Sequence, residues 1–182
     1  FSRYIRVILD APERELPYAS VCCIIMGTGA RIGEVLAMTE KNLFDAWGRP
    51  LPRITRTLEK KRREKRLTVE FLWDEIGTPV ARWRERAIKM FAIGPEEKLF
   101  SVRWNNASIS YNYLWRKQRA FLERAGIDPT GVAFHGIRKS FLSTMFYQRV
   151  EENGGDFMGA LRYVQQLAGH ESFETTLRYL SD

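Results

Sequence analysis

Cysteine is nearly missing from this chain. Its 182 residues include only Cys22 and Cys23, which are adjacent. Neighbouring residues rarely meet disulfide geometry without strain, so a disulfide framework is excluded. Two cysteines make no structural zinc site alone, and only the two histidines, His135 and His170, are there to join them. Lying in the apolar stretch 21–26, they are expected to be packed thiols in a reducing compartment. No run of about 18 apolar residues exists, so no membrane span is expected. No internal repeat or low-complexity tract is present, which excludes solenoids and biased linkers. No leader pattern is visible, and the chain opens on Phe1 rather than Met, so it reads as a fragment of something longer.

Acidic residues are also in short supply. Lys plus Arg number 29 against 22 Asp plus Glu, a net charge of +7. That excess favours a polyanionic partner, most commonly nucleic acid. At 45% hydrophobic residues the chain is not a disordered tail, and its length fits one domain with a substantial core.

The apolar spacing predicts a mostly helical protein with a small antiparallel sheet near the front. Helices are expected over residues 17–26, 30–38, 79–91, 107–125, 134–149, 157–168 and 172–180. Gly27-Thr28-Gly29 stops the first of them, Gly169 closes the 157–168 helix, and Ser172 is the expected cap of the last. Residues 53–58 and 66–72 alternate as strands, joined by a charged turn at 60–65, and Leu99-Phe100 is a candidate for a further short strand. Tyr163 lies in an amphipathic helix and reads as core.

Three local patterns carry chemistry. Thr28-Gly29-Ala30-Arg31-Ile32-Gly33-Glu34 places Arg31 near a helix start, with Glu34 one turn on to orient it. A guanidinium there can grip two oxygens of a phosphate, although an Arg-Glu pair at this spacing is equally an ordinary surface pair. His135-Gly136-Ile137-Arg138 puts an imidazole and a second guanidinium on one helix face. Gly169-His170 is followed nine positions later by Tyr179. Cations and imidazoles without a carboxylate cage suggest stabilisation of an oxyanion at phosphorus without a metal, and the tyrosine suggests the attacking group. An unperturbed phenol has a pKa near 10, so it needs nearby cations to ionise readily.

In order and spacing these motifs resemble the catalytic domain of the tyrosine recombinases, the phage-integrase family, over nearly the whole chain. The resemblance implies an α+β, predominantly helical fold with a three-stranded antiparallel sheet at one edge. It implies DNA cleavage and rejoining through a 3′-phosphotyrosyl link, with Arg31, Lys61, His135, Arg138, His170 and Tyr179 as catalytic residues and no cofactor. Lys61 is placed by counting back from Arg66-Leu67, with Lys60 as the alternative. Double-stranded DNA is the implied partner, with a tetramer assembling on it in the full-length protein. A cytoplasmic, nucleoid-associated location in a bacterium is also implied. Residues 1–182 then correspond to the catalytic domain, without the N-terminal DNA-gripping domain. Arg82-Arg86-Lys89 and Arg116-Lys117-Arg119 are candidate phosphate contacts. The stretch from Arg138 to His170 is longer than usual in the family, and Asn153-Gly154-Gly155 reads as an inserted loop. A type IB topoisomerase activity and a non-catalytic DNA-binding module are the alternatives.

Overall fold

The computed structural model describes residues 2–58, 65–100, 103–104 and 107–180. Its elements run α1 (Ser2–Leu9), α2 (Leu16–Thr28), α3 (Ile32–Leu36), β1 (Arg53–Leu58), β2 (Lys65–Glu70), α4 (Trp73–Ile76), α5 (Thr78–Phe91), β3 (Arg103–Trp104), β4 (Ala107–Ser108), α6 (Tyr111–Arg124), α7 (Phe134–Glu152), α8 (Phe157–Ala168) and α9 (Phe173–Leu180). The fold is mostly helical.

The organising element is α2. It carries apolar residues on every side rather than on one stripe, and nearly all of it is buried. Such a helix is stable only when surrounded, and α1, α5, α6 and α7 pack around it. Pro17 begins it and Gly29, at φ 63°, ends it in the left-handed conformation. Its few polar groups are satisfied internally. Ser20 donates to the carbonyls of Leu16 and Pro79, and Thr28 to that of Ile24. Cys22 and Cys23 are buried free thiols in this core. Burial pushes Cys22 up to about 12 and Cys23 well above its ordinary value, so both stay protonated.

A second, smaller core lies between α7 and α8, built on Leu142, Phe146, Leu161 and Val164, with Tyr179 and Leu180 of α9 packed against it. The Asn153-Gly154-Gly155 turn joins α7 to α8, with both glycines at positive φ. Each core carries part of the site, so the site depends on how the two meet.

Three expectations need correction. Instead of one three-stranded sheet, the described residues form two separate antiparallel pairs, β1 with β2 and β3 with β4. The stretch around Leu99 joins neither. Lys98 bridges Thr39, the Leu99 amide donates to Met38, and the Leu99 carbonyl accepts from the Trp83 indole, so this backbone is tied to α5 and the loop after α3. The 107–125 helix begins only at Tyr111, where Ser110 caps it by accepting from the Tyr113 amide, because residues 107–108 pair as β4. Tyr163 is exposed, not core, and lies beneath the Arg149 guanidinium. Among the described residues no helix is long and apolar enough to cross a membrane.

Candidate active site

The site forms where the C-terminal ends of two helices meet. The last carbonyls of a helix have no partner within it and carry the negative end of the dipole. At the end of α8, Gly169 takes φ 66°, its amide returns to Gln166, and the His170 amide returns to Gln165. This closing turn leaves the carbonyls of Leu167 and Ala168 to find donors elsewhere. Two buried arginines supply them. Arg138 donates to Ala168 (2.6 Å) and to Gly29 at the end of α2 (2.5 Å). Arg56 donates to Leu167 and to the same Gly29 carbonyl (3.3 Å). The two guanidiniums thus pin the α2 end to the α8 end.

Arg138 is therefore no surface arginine, being only 2% exposed. Burial first, then the neighbouring Arg31 and Arg56, lower its pKa to about 9. It remains a cation at neutral pH. Its Nε, like that of Arg56, has no hydrogen-bond partner among the described residues.

Arg31 precedes α3 and is half exposed. Glu34 accepts from its backbone amide (3.0 Å) and from its guanidinium (2.9 Å), as the motif predicted. The second Glu34 oxygen also takes the Arg56 guanidinium at 2.6 Å. Two guanidiniums thus share one carboxylate, with Arg138 close by, which leaves the cluster electropositive.

Arg56 is absent from the sequence-based set. A signal for it exists: it lies two positions from buried Ile54 on β1, so period two puts both on the core face. An arginine on that face needs buried partners.

The tyrosine and both imidazoles meet at one point. The Tyr179 ring lies between His135 (ring centroids 4.6 Å) and His170 (4.7 Å). Its hydroxyl is 3.0 Å from His135 Nδ1. Partial burial first, then the charges of Arg138, Arg31 and Lys139, lower the His135 pKa below 6.5. A neutral imidazole is thus favoured, able to accept a proton. His170 Nδ1 lies 3.1 Å from the hydroxyl of buried Thr176, which fixes the ring.

The structure thus brings Arg31, His135, Arg138, His170 and Tyr179 to one place. Lys61 and its alternative Lys60 lie outside the described residues. Among the described residues no three His, Cys, Asp or Glu side chains gather as a metal-ion ligand set. The two expected basic faces are partly neutralised, since Arg86 pairs with Glu13 and Lys117 with Glu15, while Arg119 lies over the Trp115 ring and keeps its charge.

The phage integrase family model matches residues 3–182. No curated protein matches the chain in sequence. Among solved structures, the XerH site-specific recombinase bound to palindromic difH substrate superposes with a TM-score of 0.73 at 17% identity, over 99% of this chain and 47% of that one. The XerA recombinase gives 0.69 at 21% identity, over 97% and 57%. The Tn1549 transposon integrase in complex with circular intermediate DNA gives 0.60 at 17% identity, over 98% and 57%. The chain spans about half the length of these structures, and at such identities the likeness establishes the fold.

Proposed function

The chain belongs to the phage integrase family, the tyrosine recombinases, and on that premise we propose that it is the catalytic domain of a site-specific DNA recombinase. The Tyr179 hydroxyl attacks the scissile phosphodiester in line. An O–P bond forms to the phenol oxygen as the bond from phosphorus to the 5′ oxygen breaks. The products are a 3′-phosphotyrosyl link and a free 5′ hydroxyl. The new ester conserves the energy of the old one, so a second strand's 5′ hydroxyl can reverse the step on a different partner.

The observation that carries this reading is the Tyr179–His135 contact at 3.0 Å, with His135 in the field of the buried Arg138 and of Arg31. His135 takes the phenol proton, since its lowered pKa keeps it neutral. Arg31, Arg138 and His170 bear on the non-bridging oxygens, where a second negative charge develops. Lys61 protonates the leaving 5′ oxygen. Double-stranded DNA is the substrate, four copies assemble on it, and a separate DNA-gripping domain supplies much of the affinity.

A nicked suicide duplex tests this. Loss of the short cleaved fragment traps the covalent intermediate, so the full-length protein should form a protein–DNA adduct that Tyr179→Phe abolishes. No adduct with the wild-type protein under any condition supports a DNA-binding module instead. Monomeric relaxation of supercoiled plasmid would favour the topoisomerase reading.

A further inference from the structure

Arg56 belongs to none of the catalytic motifs, yet it is the residue on which the site's frame converges. Its side chain is fully buried within β1. Burying a cation is costly unless it is well paired, and Arg56 reaches three acceptors: Glu34, the Gly29 carbonyl and the Leu167 carbonyl. Each belongs to a different part of the site. Glu34 holds Arg31, Gly29 ends α2 two residues before Arg31, and Leu167 lies three residues before His170.

We infer that Arg56 is a positioning residue for phosphodiester cleavage, acting through Glu34 to set the direction of the Arg31 guanidinium. This rests on the cleavage reading above. Glu34 has two oxygens. One holds the Arg31 guanidinium, and the other is shared between the Arg31 amide and Arg56. Without Arg56 the carboxylate keeps only its two bonds to Arg31, and nothing from β1 fixes its plane. Arg31 is half exposed and has few other restraints, so its aim depends on that plane. Arg138 differs: it is buried and held by two backbone carbonyls, of which it shares only that of Gly29 with Arg56. Removing Arg56 should therefore impair Arg31 much more than Arg138. A transition-state donor misplaced by a fraction of an ångström loses much of its value.

A double-mutant cycle on the full-length protein tests this, read as the rate of adduct formation at saturating suicide DNA. Arg56→Lys keeps the charge but not the three-way fork, and should slow the reaction about 10–100-fold, the range typical of outer-shell partners. The DNA concentration giving half-saturation should change little, and rates are compared well below each variant's melting temperature, which should fall because Arg56 also joins the α2 and α8 ends. Arg31→Lys should also slow the reaction. The decisive variant carries both changes, and it should be no more than about threefold slower than Arg31→Lys alone, because two residues acting through one group are not additive. Losses that multiply would assign Arg56 to the scaffold and overturn the inference, as would an Arg56→Lys protein at wild-type rate. Should that variant fail to fold, Arg56→Gln serves the same cycle. A wild-type protein that forms no adduct contradicts the cleavage reading itself, whereas a wild-type adduct lost in Tyr179→Phe with multiplying losses contradicts only the role of Arg56.

Discussion

The hydroxyl of Tyr179 and Nδ1 of His135 stand 3.0 Å apart, although they come from α9 and α7. The contact exists because α9 packs its Tyr179-Leu180 end on the small core between α7 and α8. His135 is near Arg31, Arg138 and Lys139, which disfavour a further positive charge on its ring. The pair therefore joins a phenol to a base that is available at neutral pH.

The rate of adduct formation should rise with pH and level off, with a half-point below 6.5. Protonation of His135 blocks it from accepting the phenol proton, and its native pKa is lowered. His135→Gln should remove this acidic limb and slow the reaction by about 10²-fold or more. A pH series of adduct gels checks both.

The same group ties stability to pH. Below 6.5 the unfolded chain binds a proton at His135 that the native state resists, so stability falls as pH drops from 6.5 through the lowered native pKa. Urea melts at pH 7 and pH 5 should show a larger difference for wild type than for His135→Gln.

Glu15 gives the complementary case. Burial raises its pKa, but hydrogen bonds and charge from Lys117 and Arg124 outweigh that and hold it below 4.5. Its contribution is present above 4.5 and is lost as pH falls through the native value. Glu15→Gln should cost about 1–3 kcal/mol at pH 7, by weakening the tie between α6 and the segment before α2. Chemical denaturation at pH 7 and pH 3.5 should show the deficit shrinking in acid.

Gly29→Ala should be destabilising on two separate grounds. The position takes φ 63°, and an added Cβ would come within 2.6 Å of the Phe141 ring. The combined cost should be about 1–3 kcal/mol. Phe141→Leu should relieve the steric part and leave the backbone part, so the double variant should regain only a portion in urea melts. Since the Gly29 carbonyl serves both buried arginines, adduct formation should fall as well.

Much of this was legible in the chain, for identifiable reasons. Boundaries set by glycine at positive φ were readable: Gly29 and Gly169 end α2 and α8 because a side chain is strained there. The convergence of Arg31, His135, Arg138, His170 and Tyr179 followed from motif order. Arg56 escaped because a charged residue in a strand is ordinarily assigned to solvent, and its partners lie on distant helices. The helix α1 also escaped, although Tyr4 and Ile8 stand at helical spacing and are buried. Amphipathic spacing puts Tyr163 in the core, but such spacing fixes a helix face, not which aromatic at its edge finds cover. The third strand failed because hydrogen bonding to α5 outbid sheet pairing for the backbone near Leu99, a contest between distant segments.

The central claim is that Tyr179 attacks phosphorus with Arg138 stabilising the charge that develops. Its most direct test is peptide mapping of the covalent adduct trapped on suicide DNA, by nuclease trimming, proteolysis and mass spectrometry. The account predicts a nucleotide attached through phosphate to the Tyr179 phenol oxygen, and no linked peptide in Arg138→Met protein. A nucleotide on any other residue, or an undiminished adduct in Arg138→Met, would contradict it.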